Sequence, residues 1–385
     1  LLIRGPIAAT LFLLACQEPT GEHAESITNA MNDDGDPGVA ALMQGQTLVC
    51  TATLVAPRVL LTAAHCLQSD TPPDAFFGAA PDQGGTRIAI VDVHRHPQFD
   101  PSILVNDIAL VLLHDPAPGT PWPLPTTPLA QGATLRLVGF GRTGATDSTP
   151  PRKRQGTAIL GTLNASDFYF APSPSQTCEG DSGGPAFATV NNVEVVVGVT
   201  SSGDPMCTMN ARDIRVDAYA GAFILPYLAA TAEGAAGAGA RCFYPAQCAG
   251  GAPCTPALDD PRLSFCSPAC NAGCPSGLTC VEGLCRHPTP SPGAMGAACS
   301  DASQCLDGAC AARAGASMPL CTRTCFTDIP GFCPSGYACV ATQSGGDACF
   351  ATPSDSGCGV GGSGSPSTWL LLLLFAWRRR RFHRD

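Results

Sequence analysis

Six consecutive residues, Gly180-Asp181-Ser182-Gly183-Gly184-Pro185, constrain this chain more than any other stretch. They set a serine between glycines just after an aspartate, where a sharp backbone turn exposes a hydroxyl. The pattern G-x-S-x-G alone is ambiguous, because it also marks the nucleophile elbow of α/β-hydrolases. Chain order separates the alternatives. An elbow serine needs its acid and then its histidine downstream, and only His287 and His383 follow Ser182. The first lies in a Pro-rich spacer and the second in an Arg-rich tail. Upstream stand Leu61-Thr62-Ala63-Ala64-His65-Cys66 and Asn106-Asp107-Ile108-Ala109-Leu110. Histidine, aspartate and serine thus occur in that order.

A serine hydroxyl is a poor nucleophile near neutral pH and needs a base beside it. An imidazole, with an ordinary pKa of about 6.5, takes and returns a proton in that range. A buried carboxylate fixes the imidazole tautomer and steadies the imidazolium that forms. These roles fall to Ser182 as nucleophile, His65 as base and then acid, and Asp107 as orienting carboxylate.

The three segments closely resemble the trypsin/chymotrypsin family over roughly Ile27 to Leu228. The resemblance implies an all-β fold: a double antiparallel β-barrel with a C-terminal helix and the catalytic cleft between the barrels. It implies a serine-type endopeptidase working through an acyl-enzyme on protein or peptide substrates, with no cofactor and no metal. The backbone N–H groups of Gly180 and Ser182 would form the oxyanion hole, where losing one donor costs about 10²–10³ in rate. Glycine permits the backbone geometry needed at 180. Ser201, in Val199-Thr200-Ser201-Ser202-Gly203, matches the family serine beside the triad aspartate, on a strand that pairs with the substrate backbone. Cys50 with Cys66 and Cys178 with Cys207 match family disulfides, one stapling the histidine loop and one bracing the specificity pocket.

Ile27 matches the family's new N-terminus, whose amino group pairs with Asp181 after proteolysis. That implies a zymogen and an activating protease. Ser26 precedes Ile27, so an activator that cuts after Arg or Lys is not implied. Basic selectivity in the family rests on an aspartate six residues before the serine. Gln176 stands there, which points to an uncharged substrate side chain, while Gly203 leaves the pocket entrance open. Asp213, in Asn210-Ala211-Arg212-Asp213, would return a basic preference if it faced the pocket. His94 and His96 resemble a surface segment of the family rather than a metal pair. Arg152-Lys153-Arg154 reads as a solvated charge run in a surface loop, open to autolysis. The competing function is a catalytically silent protease fold serving as a surface binding or adhesion module.

The chain has 385 residues, 22 cysteines and a formal charge of −10. The acidic balance argues against nucleic acid, and the cysteines point to an oxidising compartment, secreted or on the cell surface. Residues 1–16 resemble a secretion signal ending in a lipobox, Leu13-Leu14-Ala15-Cys16, with Cys16 the lipidated residue. The alternative there is an ordinary signal peptide. Residues 17–26 are then a propeptide and 27–230 the protease domain. The Gly/Ala-rich stretch 231–240 reads as a flexible linker.

Two units of eight cysteines follow, 241–286 and 299–350, joined by a linker at 287–298 and related as an internal repeat. Their few large apolar residues require disulfides for stability. Four bridges in each is the natural count, although eight cysteines allow 105 connectivities. Spacing or binding is the use expected of them, with an envelope or surface ligand as partner. Residues 351–385 carry Cys358, a nine-residue apolar run at Trp369–Trp377 and four arginines. They resemble a myxobacterial-type C-terminal sorting signal, handled by sorting machinery, with Cys358 the site of processing or lipid attachment. The run is short of the roughly 20 residues a membrane span needs.

Overall fold

The computed structural model describes residues 27–69, 71–327 and 331–352. The expected lipobox segment with Cys16, the propeptide 17–26 and the C-terminal sorting segment with Cys358 lie outside the described residues. The chain divides into two compact units between Ser291 and Pro292.

The first unit holds two antiparallel barrels. Barrel 1 uses β2 (Val39–Gln44), β3 (Thr47–Ala56), β4 (Val59–Thr62), β5 (Asp74–Phe77), β6 (Thr86–Ile88), β7 (Ile90–Arg95) and β8 (Ala109–Leu113), after the short β1 (Met31–Asn32). β6 and β7 are separated only by Ala89, and they pair with β5 and β8 respectively. Counted as one bent strand, they close the sheet into six. Val59–Thr62 and Ala109–Leu113 are buried at every position. Strands covered on both faces carry continuous rather than alternating apolar runs, and these two do.

Barrel 2 uses β9 (Thr134–Gly139), β10 (Arg154–Leu163), β11 (Asp167–Pro172), β12 (Pro185–Val190), β13 (Val193–Gly203) and β14 (Ala211–Arg215). Its order runs β10-β11-β14-β13-β12-β9, and β9 returns to pair with β10, with β1 added at the edge of β10. Phe168, Phe170, Leu135, Leu137, Leu160 and Val197 fill its core. The chain then turns into α1 (Val216–Tyr219) and α2 (Leu225–Thr231), joined by a π-helical turn at Ala220–Ile224. This helix docks on barrel 1. The His94 ring stacks on Phe223 and Tyr227, and the Tyr227 hydroxyl donates to Asp92 at 2.8 Å. Burial lowers the His94 and His96 pKa values, as packing against aromatic rings should. The two histidines are packing residues for the helix.

Two expectations give way to the structure. The triplet at 152–154 is no solvated charge run: Lys153 and Arg154 are buried. Lys153 Nζ donates to the Asp36 carbonyl, and Arg152 pairs with Asp34 at 3.1 Å. The acidic stretch Asp33-Asp34-Gly35-Asp36 supplies the complement, so the triplet straps the N-terminal segment to the barrel. The stretch 231–240 is likewise tied down. Gly234 and Ala236 N–H groups donate to Ala246 and Gln247 carbonyls, and Gly239 N–H donates to Cys266. Small side chains let this backbone lie close against the disulfides, so the composition of a linker here serves packing.

The first cysteine-rich repeat is thereby continuous with the barrels. Tyr244 is buried in the barrel 1 core cluster, with Arg58 over its ring at 4.3 Å and its hydroxyl donating to the Thr231 carbonyl. Its bridges are Cys242–Cys254, Cys248–Cys266, Cys270–Cys280 and Cys274–Cys285. The second unit, described by itself, joins Cys299–Cys310, Cys305–Cys321, Cys325–Cys339 and Cys333–Cys349. Both repeats therefore pair first with third, second with fourth, fifth with seventh and sixth with eighth. Among the described residues no helix is long and apolar enough to cross a membrane.

Tyr244→Ala should destabilise the protease barrels and not just the repeat. A buried aromatic lost to alanine costs about 3 kcal/mol or more, which thermal denaturation should read as a melting point lower by about 6 °C or more.

Candidate active site

The pairing of β4 with β8 brings two distant segments to one end of barrel 1. Thr62, at the end of β4, lies opposite Ala109, at the start of β8. His65 follows the first and Asp107 precedes the second, so both emerge at that end. A single 3-10 turn, Ala64–Leu67, carries His65, and the Cys50–Cys66 disulfide anchors it to β3. Asp107 is fully buried. Its Oδ2 accepts from His65 Nδ1 at 2.7 Å, and its Oδ1 accepts from the His65 backbone N–H at 2.8 Å. The Ser201 hydroxyl, from β13 of barrel 2, donates to Oδ2 at 2.7 Å.

Ser182 sits in the turn before β12, where three contacts fix it. Thr51 N–H donates to the Ser182 carbonyl at 2.8 Å, Gly183 N–H to the Thr200 carbonyl at 2.7 Å, and Thr200 N–H to the Gly184 carbonyl at 2.9 Å. Gly180 has φ +96° and Gly183 φ +79°, conformations that L side chains rarely adopt. A Cβ at Gly183 would also meet Thr62 Oγ1 at 2.1 Å. Among the described residues, the N–H groups of Gly180 and Ser182 donate no backbone hydrogen bond. His65 Nε2 faces Cys66 Sγ at 3.7 Å, and the Ser182 carbonyl lies 3.8 Å from the same sulfur. The Ser182–His65 hydrogen bond itself is not made. Such bonds are often long in unliganded sites and tighten around substrate.

A model of the trypsin family matches residues 28–222. The chain belongs to this family. Kallikrein-7 of Homo sapiens is 30% identical over 202 residues, covering 47% of this chain and 79% of that protein. Serine protease SP24D of Anopheles gambiae is 28% identical over 191 residues, with coverages of 44% and 70%. Serine protease snk of Drosophila melanogaster is 29% identical, and the chain spans 46% of its length. Among solved structures, human heparin binding protein aligns at a TM-score of 0.45 and 20% identity, over 50% of this chain and 92% of that one. Neuropsin, a serine protease expressed in mouse brain, aligns at 0.45 and 22%, with coverages of 50% and 95%.

Within this trypsin-family domain a second buried carboxylate organises the nucleophile turn. Asp181 accepts from Gly141 N–H at 2.8 Å and Cys178 N–H at 2.9 Å, and the Ile27 N–H also reaches it. A Cβ at Gly139 would lie 2.0 Å from Asp181 Oδ1, so only glycine leaves room for the carboxylate. Ile27 is fully buried in barrel 2. The Cys178–Cys207 disulfide links the turn to the loop after β13. Gln176 is buried, and its Nε2 donates to Asp204 Oδ1 at 2.8 Å and to the Asn210 carbonyl at 2.9 Å. Gly203, at the end of β13, pairs with Ala211.

Two residues with a structural hold on the site carry no sequence signal. Thr51 Oγ1 donates to the Gly180 carbonyl at 2.9 Å and accepts from Phe140 N–H at 3.2 Å, bracing the turn from barrel 1. Burial alone would raise the Asp204 carboxyl, but the N–H groups of Thr208, Met209 and Asn210 and the Gln176 amide together outweigh it and hold the group well below the usual carboxylate range.

Burial pushes the Asp181 carboxyl from 3.8 up to about 7, outweighing its N–H donors and the Arg154 charge. Its contribution to stability is whole below the ordinary carboxylate value and fades as pH rises through about 7. The uncut Ser182→Ala protein should therefore lose about 4 kcal/mol more between pH 4 and pH 8 than the same protein carrying Asp181→Asn. Denaturant titration at the two pH values measures this difference.

Proposed function

We propose that the chain is an exported serine endopeptidase that hydrolyses peptide bonds through an acyl-enzyme at Ser182. The observation that carries this reading is the Asp107 carboxylate bonded to His65 Nδ1, which leaves Nε2 beside Cys66 Sγ, the sulfur that the Ser182 carbonyl also approaches. Ser182 Oγ attacks the peptide carbonyl while His65 Nε2 takes its proton. The Gly180 and Ser182 N–H groups receive the oxyanion, and His65 then passes the proton to the leaving amine. Water repeats the steps in reverse order to free the enzyme.

Activation by cleavage before Ile27 belongs to the same proposal. In the uncut chain Ile27 is held at φ +48°, a costly conformation for a β-branched residue. Cutting the bond before it removes that torsion and turns its N–H into an ammonium beside Asp181. The new charge offsets the burial of the carboxylate. An activating protease is the partner this step requires.

Ten disulfides among the described residues support an oxidising compartment for the mature protein. Lipidation at Cys16 and processing at Cys358 would fix where it resides. An envelope or surface ligand would be the partner of the cysteine-rich repeats.

Protein cut to begin at Ile27 should react with a fluorophosphonate at Ser182 alone, read by peptide mass spectrometry. His65→Ala or Asp107→Asn should slow that labelling by about 10⁴-fold. A folded, Ile27-started protein that does not label would be the silent scaffold instead.

A further inference from the structure

One arginine of the first repeat is set apart from the others. Arg286 ends the short strand Leu284–Arg286, directly after the last cysteine of that repeat, and is half-buried. Its Nε is shut off from solvent with no hydrogen-bond partner. Among the described residues its guanidinium holds no carboxylate, whereas the half-buried Arg136, Arg212 and Arg215 each hold one. Ser291 is 1% exposed, and its hydroxyl likewise has no partner. Both residues line one small cavity, together with Thr255, Phe265, Ser267 and His287. Native interiors rarely leave buried polar groups unmatched, and here two such groups face the same space.

The other polar groups around this cavity already have their partners. The Thr255 and Ser267 hydroxyls lie 2.6 Å apart, and Ser267 donates on to the Phe265 carbonyl at 3.1 Å, so both protons are committed. His287 Nε2 bonds the Gly239 carbonyl at 2.7 Å. Asp259 accepts the Ser291 N–H at 2.8 Å, which fixes that residue and leaves its hydroxyl to turn. The donors that remain are the Arg286 N–H groups and the Ser291 hydroxyl, and the first carry a full positive charge. A water could bridge them, but it would leave that charge without a counter-charge, which is costly away from solvent. The space open to a ligand's centre is about 10 Å³, room for one monatomic ion or one water. The second repeat shows that the fold itself does not ask for these side chains. Matched through the shared cystine order, Arg286 becomes the buried Phe350 and Thr255 becomes Ala311.

We infer that Arg286 and Ser291 bind a monatomic anion, chloride in ordinary salt, which ties the end of the first repeat to the stretch leading out of it. Ser291 is the last residue of the first compact unit. An anion bonded to both side chains holds residues 286–291 closed against the repeat. Sulfate and phosphate, with four oxygens each, are too large for the space. The inference stands apart from the endopeptidase reading, since none of these residues belongs to the catalytic group.

The full chain carrying Ser182→Ala, which removes any self-digestion, tests this in sodium chloride, sulfate and methanesulfonate of equal ionic strength. Hydrogen exchange at the Ser291 N–H should slow about tenfold once chloride reaches about ten times its dissociation constant. Sulfate and methanesulfonate should leave that exchange unchanged. Equal slowing in all three salts is an effect of ionic strength and overturns the inference. No slowing in any of them leaves the cavity to water and overturns it as well. Chloride-35 NMR should show an excess line width that bromide displaces and that Arg286→Gln loses. An excess that survives Arg286→Gln puts the ion elsewhere and overturns the inference. Ser291→Ala, the milder change, should weaken chloride binding about tenfold or more, and unchanged binding would overturn the paired site. The three-salt comparison alters no residue of the site, so it decides even where Arg286→Gln fails to fold.

Discussion

The Asp107 carboxylate accepts three hydrogen bonds, two from His65 of barrel 1 and one from Ser201 of barrel 2. A fully buried carboxylate with fewer donors would be expensive to keep ionised. With three, it is held in place and in turn holds the imidazole ring. It also links the two barrels. The Thr51 contacts to Gly180 and Ser182 make a second seam of the same kind, so the nucleophile turn of barrel 2 is positioned from barrel 1.

Around that seam, buried charge is handled in three different ways. Asp107 is satisfied within the fold. Asp181 is only partly satisfied, by N–H donors and a nearby arginine, and a freed Ile27 ammonium would complete it. Asp213 is left without any hydrogen-bond partner. The strap at the N-terminus shows that the fold pairs buried charge where it can. Asp36 is held below the ordinary carboxylate range, because Arg136 outweighs the effect of burial, and Arg136 also binds Glu194. The exception at Asp213 stands out against these paired neighbours.

His65, Asp107 and Ser182 stood out in the sequence as candidates because the chemistry restricts residue type and chain order at once, and the structure brings the first two into hydrogen-bonding contact. The barrels followed from the family those segments mark. Other features were not legible, for identifiable reasons. A cysteine count does not say which sulfurs meet, so the alternating pairing shared by both repeats needed the fold. The stretch 231–240 has a linker's composition, yet its backbone N–H groups find carbonyls in the first repeat. Lys153 looks like a surface residue until Asp33, Asp34 and Asp36 are placed around it, and Arg154 until the Asp181 carboxylate is. Asp213 was a candidate in the sequence, but its place opposite Thr200 comes from strand register, which no local pattern encodes.

The account turns on the bond from His65 Nδ1 to Asp107, and proton NMR of protein with nitrogen-labelled histidine observes it directly. A short N–H to carboxylate bond should give one far-downfield imidazole proton, kept in Ser182→Ala and lost in Asp107→Asn. Absence of that proton from the native protein, or its survival in Asp107→Asn, would contradict the account.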